Sequence, residues 1–149
     1  MPIWKQSVDL DTVNGWSEHT LMRAIGIRIT EIGDDFLRGT MPVDDRTRQP
    51  YGILHGGASV ALAETLGSTA AMLCCEAGTA AVGLDINANH LRAARDGTVT
   101  GTARPLHIGR STQVWEIRIE NEAGELTCIA RLTMAVIPNT GFALRHASA

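Results

Sequence analysis

The sequence predicts an α+β fold in which one antiparallel sheet of about six strands wraps around a single long helix. The 149 residues suit one domain with one hydrophobic core. Residues 56–75 are apolar over about five helical turns, and runs with strand periodicity lie on both sides of them. Because a helix that is apolar on every face must be covered all round, we expect the sheet to curve around it.

The segment before the long helix is predicted to form a short helix and a hairpin. Residues 17–24, SEHTLMRA, favour a helix with Ser17 as its N-cap and Gly26 as its stop signal. The strand-like runs IRITEIG and FLRGTMPV then follow, joined by Gly33-Asp34-Asp35, which indicates a hairpin. The polar segment DDRTRQPYG is predicted to be the loop that leads into the long helix.

Four further strands are predicted after the long helix, in the runs AVGLDINANHLRAA, TVTGTARPLHIG, TQVWEIRIE and LTCIARLTMAVI. The third run alternates most clearly, with Trp115, Ile117 and Ile119 on one face and charged residues on the other. The edges of such a sheet favour a dimer interface. Residues 138–149 continue no pattern, so the sequence predicts a domain over residues 1–137 and a disordered C-terminal tail.

Composition argues against several classes of partner. The net charge of -3 provides no basic surface of the kind that binds nucleic acid. We find neither a signal peptide nor the roughly 18 consecutive apolar residues of a membrane span, so no membrane partner is expected. Three cysteines, two of them adjacent, make a poor disulfide framework and favour a cytoplasmic location.

Glu64 is the one Asp, Glu, Lys or Arg residue between Gln49 and Cys75. At about 100° per residue, Leu62, Leu66 and Leu73 are predicted to face the sheet. The opposite side of the helix is then formed by Gly57, Val60, Glu64, Gly67, Ser68 and Ala71. Two interpretations of Glu64 stay open at this point. It is either exposed or ion-paired with an arginine, or it is a catalytic base or nucleophile.

The triplet His55-Gly56-Gly57 marks the start of the long helix. Glycines let an oxygen atom approach the backbone, and free N–H groups at a helix N-terminus stabilise negative charge. For the glycines taken alone, a tight strand-to-helix turn is the favoured explanation, and His55 alone fits a structural role better than a catalytic one. Together with the isolated acid on the same helix, however, the triplet predicts an oxyanion site.

The spacing between Gly56 and Glu64 predicts a dimer. Eight residues separate them, which is about 12 Å along a helix. Within one chain they are therefore too far apart to act on the same carbonyl carbon. If both contact one substrate, two helices must run antiparallel across a two-fold axis, so that Gly56 of one chain faces Glu64 of the other.

Three separated motifs, QPYGILHGGASVALAETLGS, VGLDINANHLRAAR and PLHIGR, closely resemble the hotdog-fold acyl-CoA thioesterases of the phenylacetate-type superfamily. The likeness covers residues 3–137. It is strongest to the bacterial subgroup of the enterobactin proofreading thioesterase and the 1,4-dihydroxy-2-naphthoyl-CoA thioesterase. The resemblance implies a hotdog fold and a homodimer that assembles into a homotetramer, with active sites at the dimer interface.

The resemblance also implies a reaction, the hydrolysis of acyl-CoA thioesters to free acid and CoA. Aromatic acyl groups such as hydroxybenzoyl or dihydroxynaphthoyl fit, as do medium-chain ones, in a menaquinone or siderophore pathway. Glu64 would attack the thioester carbonyl or activate water, and the Gly56 N–H would bind the carbonyl oxygen. Gln49 and His55 would polarise or position the thioester, and Ser68 would hold the water. No cofactor is expected, since coenzyme A is part of the substrate.

For the coenzyme A portion, the resemblance points to residues in two segments and one glycine: Gly83, His90, Leu91, Arg92, Ala93, His107, Ile108, Gly109, Arg110, Ser111 and Thr112. Arg92 and Arg110 could bind phosphate, although an ordinary solvated charge explains Arg110 equally well. The five histidines show no metal-ligand spacing, so no metal site is predicted. Cys74 and Cys75 lack an evident base and are interpreted as core residues.

Three alternatives compete with an acyl-CoA thioesterase. The first is a proofreading thioesterase that acts on aryl groups held by an acyl or aryl carrier protein. The second is a hotdog dehydratase, and the third is a non-catalytic acyl-binding module in which Glu64 is an ion-paired core residue.

Overall fold

In the computed structural model, which describes residues 1–144, a six-stranded antiparallel sheet curves around one long helix. The helices are α1 (Leu10–Gly15), α2 (Leu21–Ala24) and α3 (Gly56–Leu73), and the strands are β1 (Arg28–Ile32), β2 (Leu37–Pro42), β3 (Thr79–His90), β4 (Thr98–Ile108), β5 (Thr112–Glu120) and β6 (Leu126–Pro138). Their order across the sheet is β1-β2-β4-β5-β6-β3. The predicted hairpin, long helix and four later strands are therefore confirmed.

Helix α3 packs its apolar side chains into the concave face of the sheet. Leu62, Leu66 and Leu73 are fully buried, as predicted. Ala71 is also fully buried and Gly67 is buried, so their predicted place on the open side is wrong. A Cβ atom at Gly67 would lie 2.6 Å from Leu132 Cδ2, which shows that this turn rests directly on β6. The open side of α3 is thus narrower than the helical wheel predicts.

A pair of glycines lets α3 approach the sheet closely. Gly39 of β2 and Gly101 of β4 are register partners. Cβ atoms at these two positions would lie 2.8 and 2.6 Å from the two methyl carbons of Leu66. The Leu66 side chain therefore fills a hollow that only glycines leave open.

The N-terminal region differs from the prediction. Helix α1 was not predicted, and the predicted helix over residues 17–24 is reduced to α2. Ser17 is not an N-cap, because it is buried and donates a hydrogen bond to the Asn14 carbonyl at 2.6 Å. His19 breaks the helix with a positive φ of 60°, whereas Gly26, with φ of 77°, ends α2 as predicted.

Strand β5 lies inside the sheet, whereas β1 and β3 form its two edges. Trp115, Ile117 and Ile119 of β5 are fully buried, so the predicted alternation is confirmed. The edge strands are β1 and the twelve-residue β3, which pairs on one side with β6. Strand β6 ends at Pro138, and residues 139–144 have no helix or strand. The rest of the predicted tail, residues 145–149, lies outside the described residues.

Candidate active site

Six of the predicted site residues line one cavity at the N-terminus of α3. This cavity of about 360 Å³ is lined by Gln49, Gly56 and His90–Ala93, together with Ile53, Leu54, Ser59, Ala94 and Thr127. Within residues 1–144 the Gly56 N–H has no hydrogen-bond partner. The His90 ring packs over Gly56, since a Cβ atom there would lie 3.0 Å from His90 Nε2. The site thus combines a backbone N–H that is free to donate with a histidine ring that leaves little space over Gly56.

The loop before α3 holds Gln49 in place. Its N–H donates to the Ile53 carbonyl at 2.9 Å, and its own carbonyl accepts the Gly52 N–H at 2.8 Å. The side-chain oxygen of Gln49 accepts the Tyr51 N–H. Because that oxygen is used within the loop, the amide nitrogen Nε2 is the group that can donate to a ligand in the cavity.

His55 is the N-cap of α3. Its Nδ1 atom accepts the Gly57 N–H at 2.8 Å, so the neutral ring carries its proton on Nε2. Together with Gln49, Pro50, Tyr51 and Gly56, the exposed ring lines a second cavity of about 510 Å³. His55 therefore has a structural role and also stands beside the free Gly56 N–H.

Glu64 and Ser68 lie in a separate groove on the open side of α3. This groove of about 490 Å³ also contains Leu21, Met22, Gly57, Val60, Ala61, Thr65 and Thr69. Glu64 is half-buried, and its Oε1 atom lies 3.2 Å from where a Cβ atom at Gly83 would stand. Ser68 Oγ lies 3.8 Å from the sulfur of Met134, the register partner of Gly83. Gly83 therefore makes room for the carboxylate.

No ion pair holds Glu64 within residues 1–144. All eight salt bridges found there join other acids to other bases. The interpretation of Glu64 as an ion-paired core residue consequently has no support in this part of the chain. A half-buried carboxylate without a cation partner is instead available to a ligand.

The third group of predicted residues lies far from the first cavity. His107 and Ile108 end β4, Thr112 begins β5, and Gly109–Ser111 form the turn between them. Thr112 pairs with Ala135 of β6 and His90 pairs with Cys128, seven positions earlier. Seven residues of strand span about 23 Å. A single chain therefore does not bring the two predicted coenzyme A segments together.

The two predicted phosphate-binding arginines differ in their surroundings. Arg92 is exposed and pairs with Glu125 at 3.2 Å. Arg110 lies in the exposed β4–β5 turn and forms no ion pair with another described residue. Arg92 would have to exchange its carboxylate partner for phosphate, whereas Arg110 is already free to bind an anion.

Sequence reasoning missed several lining residues of these sites, among them Ser59, Leu21, Met22 and Met134. Ser59 is buried in the wall of the Gly56 cavity, and Leu21, Met22 and Met134 contribute to the surroundings of Glu64 and Ser68. The signal for Ser59 was its position three residues after Gly56, which places the two on adjacent turns. The other three are brought in by tertiary packing, for which the sequence has no local signal.

The thiols have the properties of core residues. Burial, together with the neighbouring Cys75, raises the pKa of Cys74 to about 11. Burial also raises the pKa of Cys75 and of Cys128. A thiol with a raised pKa is a poor nucleophile at neutral pH.

Residues 1–144 lack the features of a metal site and of a membrane-spanning helix. No cluster of three His, Cys, Asp or Glu side chains could hold a metal ion there. None of the helices in that range is long and apolar enough to cross a membrane.

Residues 51–128 match the model of the Thioesterase superfamily. The chain belongs to this superfamily. The thioesterase is 52% identical over 135 residues to the 1,4-dihydroxy-2-naphthoyl-CoA hydrolase of Escherichia coli K12, with 91% of this chain and 99% of that protein covered. It is 51% identical over 135 residues to the proofreading thioesterase EntH of Cronobacter turicensis, with 91% and 98% covered.

A solved structure confirms the predicted hotdog fold. The thioesterase matches the crystal structure of a Haemophilus influenzae thioesterase with a TM-score of 0.91 and 50% identity, over 93% of this chain and 97% of that one. The predicted enzyme class, a thioester hydrolase, is confirmed as well, because these relatives are named hydrolases or thioesterases. The dehydratase and the non-catalytic module therefore lose their support, while the roles of individual residues stay predictions.

Proposed function

We propose that this thioesterase hydrolyses aromatic acyl-CoA esters, of the hydroxybenzoyl or dihydroxynaphthoyl kind, and also medium-chain acyl-CoA esters. The observation that carries the catalytic proposal is a half-buried Glu64 carboxylate without an ion-pair partner in residues 1–144, close to Gly83 and one helical turn from Ser68. The aromatic preference is supported by the relative from Escherichia coli, whose name specifies a bicyclic aromatic acyl group.

The proposed active site combines groups from two chains. The free Gly56 N–H and the Gln49 amide bind the thioester carbonyl oxygen, and His55 stands beside them. The partner subunit's Glu64 supplies the oxygen nucleophile or the base. This arrangement follows from the 12 Å or so of helix between Gly56 and Glu64, which prevents one chain from providing both.

Two reaction mechanisms would give the same products. In one, a Glu64 oxygen attacks the carbonyl carbon, the C–S bond breaks, and the thiolate of CoA leaves and takes up a proton. Water then cleaves the resulting anhydride. In the other, Glu64 removes a proton from water, and the hydroxide attacks the carbonyl carbon; the C–S bond then breaks, and the thiolate of CoA leaves and takes up the proton that Glu64 received. Because a thioester is already reactive toward acyl transfer, a positioned oxygen and an oxyanion donor suffice, and we propose that no cofactor is used.

We further propose a homodimer that assembles into a homotetramer. The long edge strand β3 supports this, because an unpaired edge of twelve residues is a natural site for pairing with a second chain. A two-fold axis at this edge would also reconcile the separated coenzyme A segments, His90–Ala93 of one chain and His107–Thr112 of the other. The cytoplasmic location and the pathway stay predictions.

The test compares wild type with Glu64→Gln, with free thiol release measured from aryl-, short-chain and medium-chain acyl-CoA esters. We expect at least about a hundredfold loss of kcat for Glu64→Gln, equivalent to about 2.7 kcal/mol of activation free energy. Glu120→Gln is the matched control, since Glu120 is half-buried on the outer face of the sheet and lines none of the three cavities at α3. Equal activity of wild type and Glu64→Gln would refute the role of Glu64.

A carrier-protein substrate is the second candidate, because EntH of Cronobacter turicensis is named a proofreading thioesterase. The same proteins would be assayed on one aryl group attached either to CoA or to an aryl carrier protein. A higher kcat/KM for the carrier-bound ester would favour proofreading, and a higher value for the CoA ester would favour the first proposal. Release from neither would contradict both.

A further inference from the structure

Ser59 is a buried serine whose hydroxyl the fold does not use. Five polar residues of the described chain are buried: Ser17, Thr47, Ser59, Gln113 and Thr127. Four of them donate a side-chain hydrogen bond to a backbone carbonyl. Ser59, at 4% exposure, makes no side-chain hydrogen bond within residues 1–144.

The position of this hydroxyl explains how it avoids an energetic penalty. A buried hydroxyl without a partner is unfavourable, and in the described residues no fully enclosed side-chain oxygen or nitrogen lacks one. The Ser59 hydroxyl must therefore retain a small contact with solvent. Ser59 lines the cavity that contains Gln49, Gly56 and His90, so this contact is made inside the candidate active site.

Local stability alone would favour alanine at this position. Alanine has a higher helix propensity than serine and would remove an unpartnered polar group. The Ser59 backbone N–H already donates to the His55 carbonyl at 3.2 Å, so the helix start does not depend on the side chain. A bound ligand is therefore the natural partner of the hydroxyl.

The geometry points to the same oxygen atom that the Gly56 N–H would bind. Residues three apart on a helix are neighbours, with about 5–6 Å between their Cβ positions. Helical side chains also lean toward the N-terminus, which directs Ser59 toward the turn of Gly56. We propose that the Ser59 hydroxyl is a second hydrogen-bond donor to the thioester carbonyl oxygen. This inference rests on the proposed function of the Gly56 cavity.

A donor to this oxygen would act mainly in the transition state, where the oxygen acquires negative charge. Ser59→Ala should therefore lower kcat by roughly tenfold to a hundredfold for benzoyl-CoA, with KM little changed. Its melting temperature should equal or exceed that of wild type. Ser59→Cys, which retains a side chain of similar size but only a weak donor, should also have a low kcat.

Ser17→Ala is the matched control, because Ser17 is equally buried, at 3% exposure, but donates to the Asn14 carbonyl and lines none of the three cavities at α3. This variant should show the opposite result, a lower melting temperature and an unchanged kcat. A wild-type kcat in Ser59→Ala would overturn the inference. So would a raised KM with unchanged kcat, or a fall in kcat that accompanies a fall in melting temperature.

Wild type and Glu64→Gln in the same assay separate this inference from the proposed function. If wild type releases thiol, Glu64→Gln does not, and Ser59→Ala is as active as wild type, only the role of Ser59 is refuted. If wild type releases no thiol from any CoA ester, the proposed function and the inference fail together.

Discussion

At the scale of single residues, His55 combines an N-cap with a place in the candidate active site. Its Nδ1 atom accepts the Gly57 N–H, while the ring lines the cavity beside Gly56. His55→Ala removes both functions, whereas His55→Asn restores a good N-cap without the ring. We expect the free energy of unfolding to fall by about 1 kcal/mol in the alanine variant only. Urea unfolding followed by tryptophan fluorescence would measure this.

The activity of the two His55 variants tests the second role. Thiol release should be reduced in both, because each lacks the Nε2 donor of the ring. Full activity of the asparagine variant would mean that His55 only caps α3. Equal stability of the alanine variant and wild type would mean instead that the cap contributes nothing.

The sequence predicted some of these residues and not others for physical reasons. Glu64 could be found because it is the one formal charge in a long apolar segment, and Gly56 because glycines precede the helix. Ser59 lies three residues after Gly56, but the sequence does not show that its hydroxyl is buried without a partner. Its significance depends on burial beneath the segment from His90 to Ala94, which only the folded chain brings over the helix start.

At the scale of elements, the contact of α3 with β2 and β4 depends on the hollow around Leu66. Gly101→Ala should destabilise the protein by about 1–3 kcal/mol, because the added methyl would lie 2.6 Å from Leu66 Cδ1. In a Leu66→Ala background, Gly101→Ala should lower the free energy of unfolding by much less, because the Leu66 methyl group that it would clash with is absent. A double-mutant cycle measured by urea unfolding would give this coupling.

Gly39→Ala is the control for that cycle. A methyl at Gly39 would lie 2.8 Å from Leu66 Cδ2 but also 2.8 Å from the Arg28 carbonyl oxygen. The Leu66→Ala substitution removes the first clash and leaves the clash with the Arg28 carbonyl. Most of the loss of stability caused by Gly39→Ala should therefore persist. Equal relief at Gly39 and Gly101, or strict additivity at both, would contradict this account of how the helix packs.

The elements that the sequence predicted correctly are those with a strong local pattern. Helix α3 and strand β5 have long, regular apolar periodicities. Helix α1 was missed because LDTVNG has weak helix propensity and is held by tertiary contacts instead. Val13 is buried, and the Asn14 side chain both accepts from and donates to the backbone of Ile29, at 2.8 Å in each case.

At the scale of the whole molecule, the separation of the site into two clusters follows from helix length and sheet register. Gly56 and Gln49 line one cavity, and Glu64 lines another. The length of α3 was enough to predict this separation from sequence. The distance between the two coenzyme A segments was not predictable, because it depends on how β3 and β5 align with β6.

A site shared between chains makes a prediction about mixed oligomers. Gln49→Ala and Glu64→Gln should each be nearly inactive alone. When the two variants are co-expressed with different tags, assemblies that carry both tags can be purified, and in each mixed dimer of such an assembly one of the two sites regains both native groups. We therefore expect about half of the wild-type specific activity from each mixed dimer.

The decisive control has the same substitutions in a different arrangement, a mixed dimer of wild type and the double variant Gln49→Ala, Glu64→Gln. If Gln49 of one chain acts with Glu64 of the other, each site of this dimer contains one substituted group, and both should be nearly inactive. If each chain instead forms its own complete site, the pattern reverses. The wild-type chain would then retain half of the activity, and the first mixed dimer would have none. The two dimers have identical composition, so differences in their thiol release report only which chain provides each group.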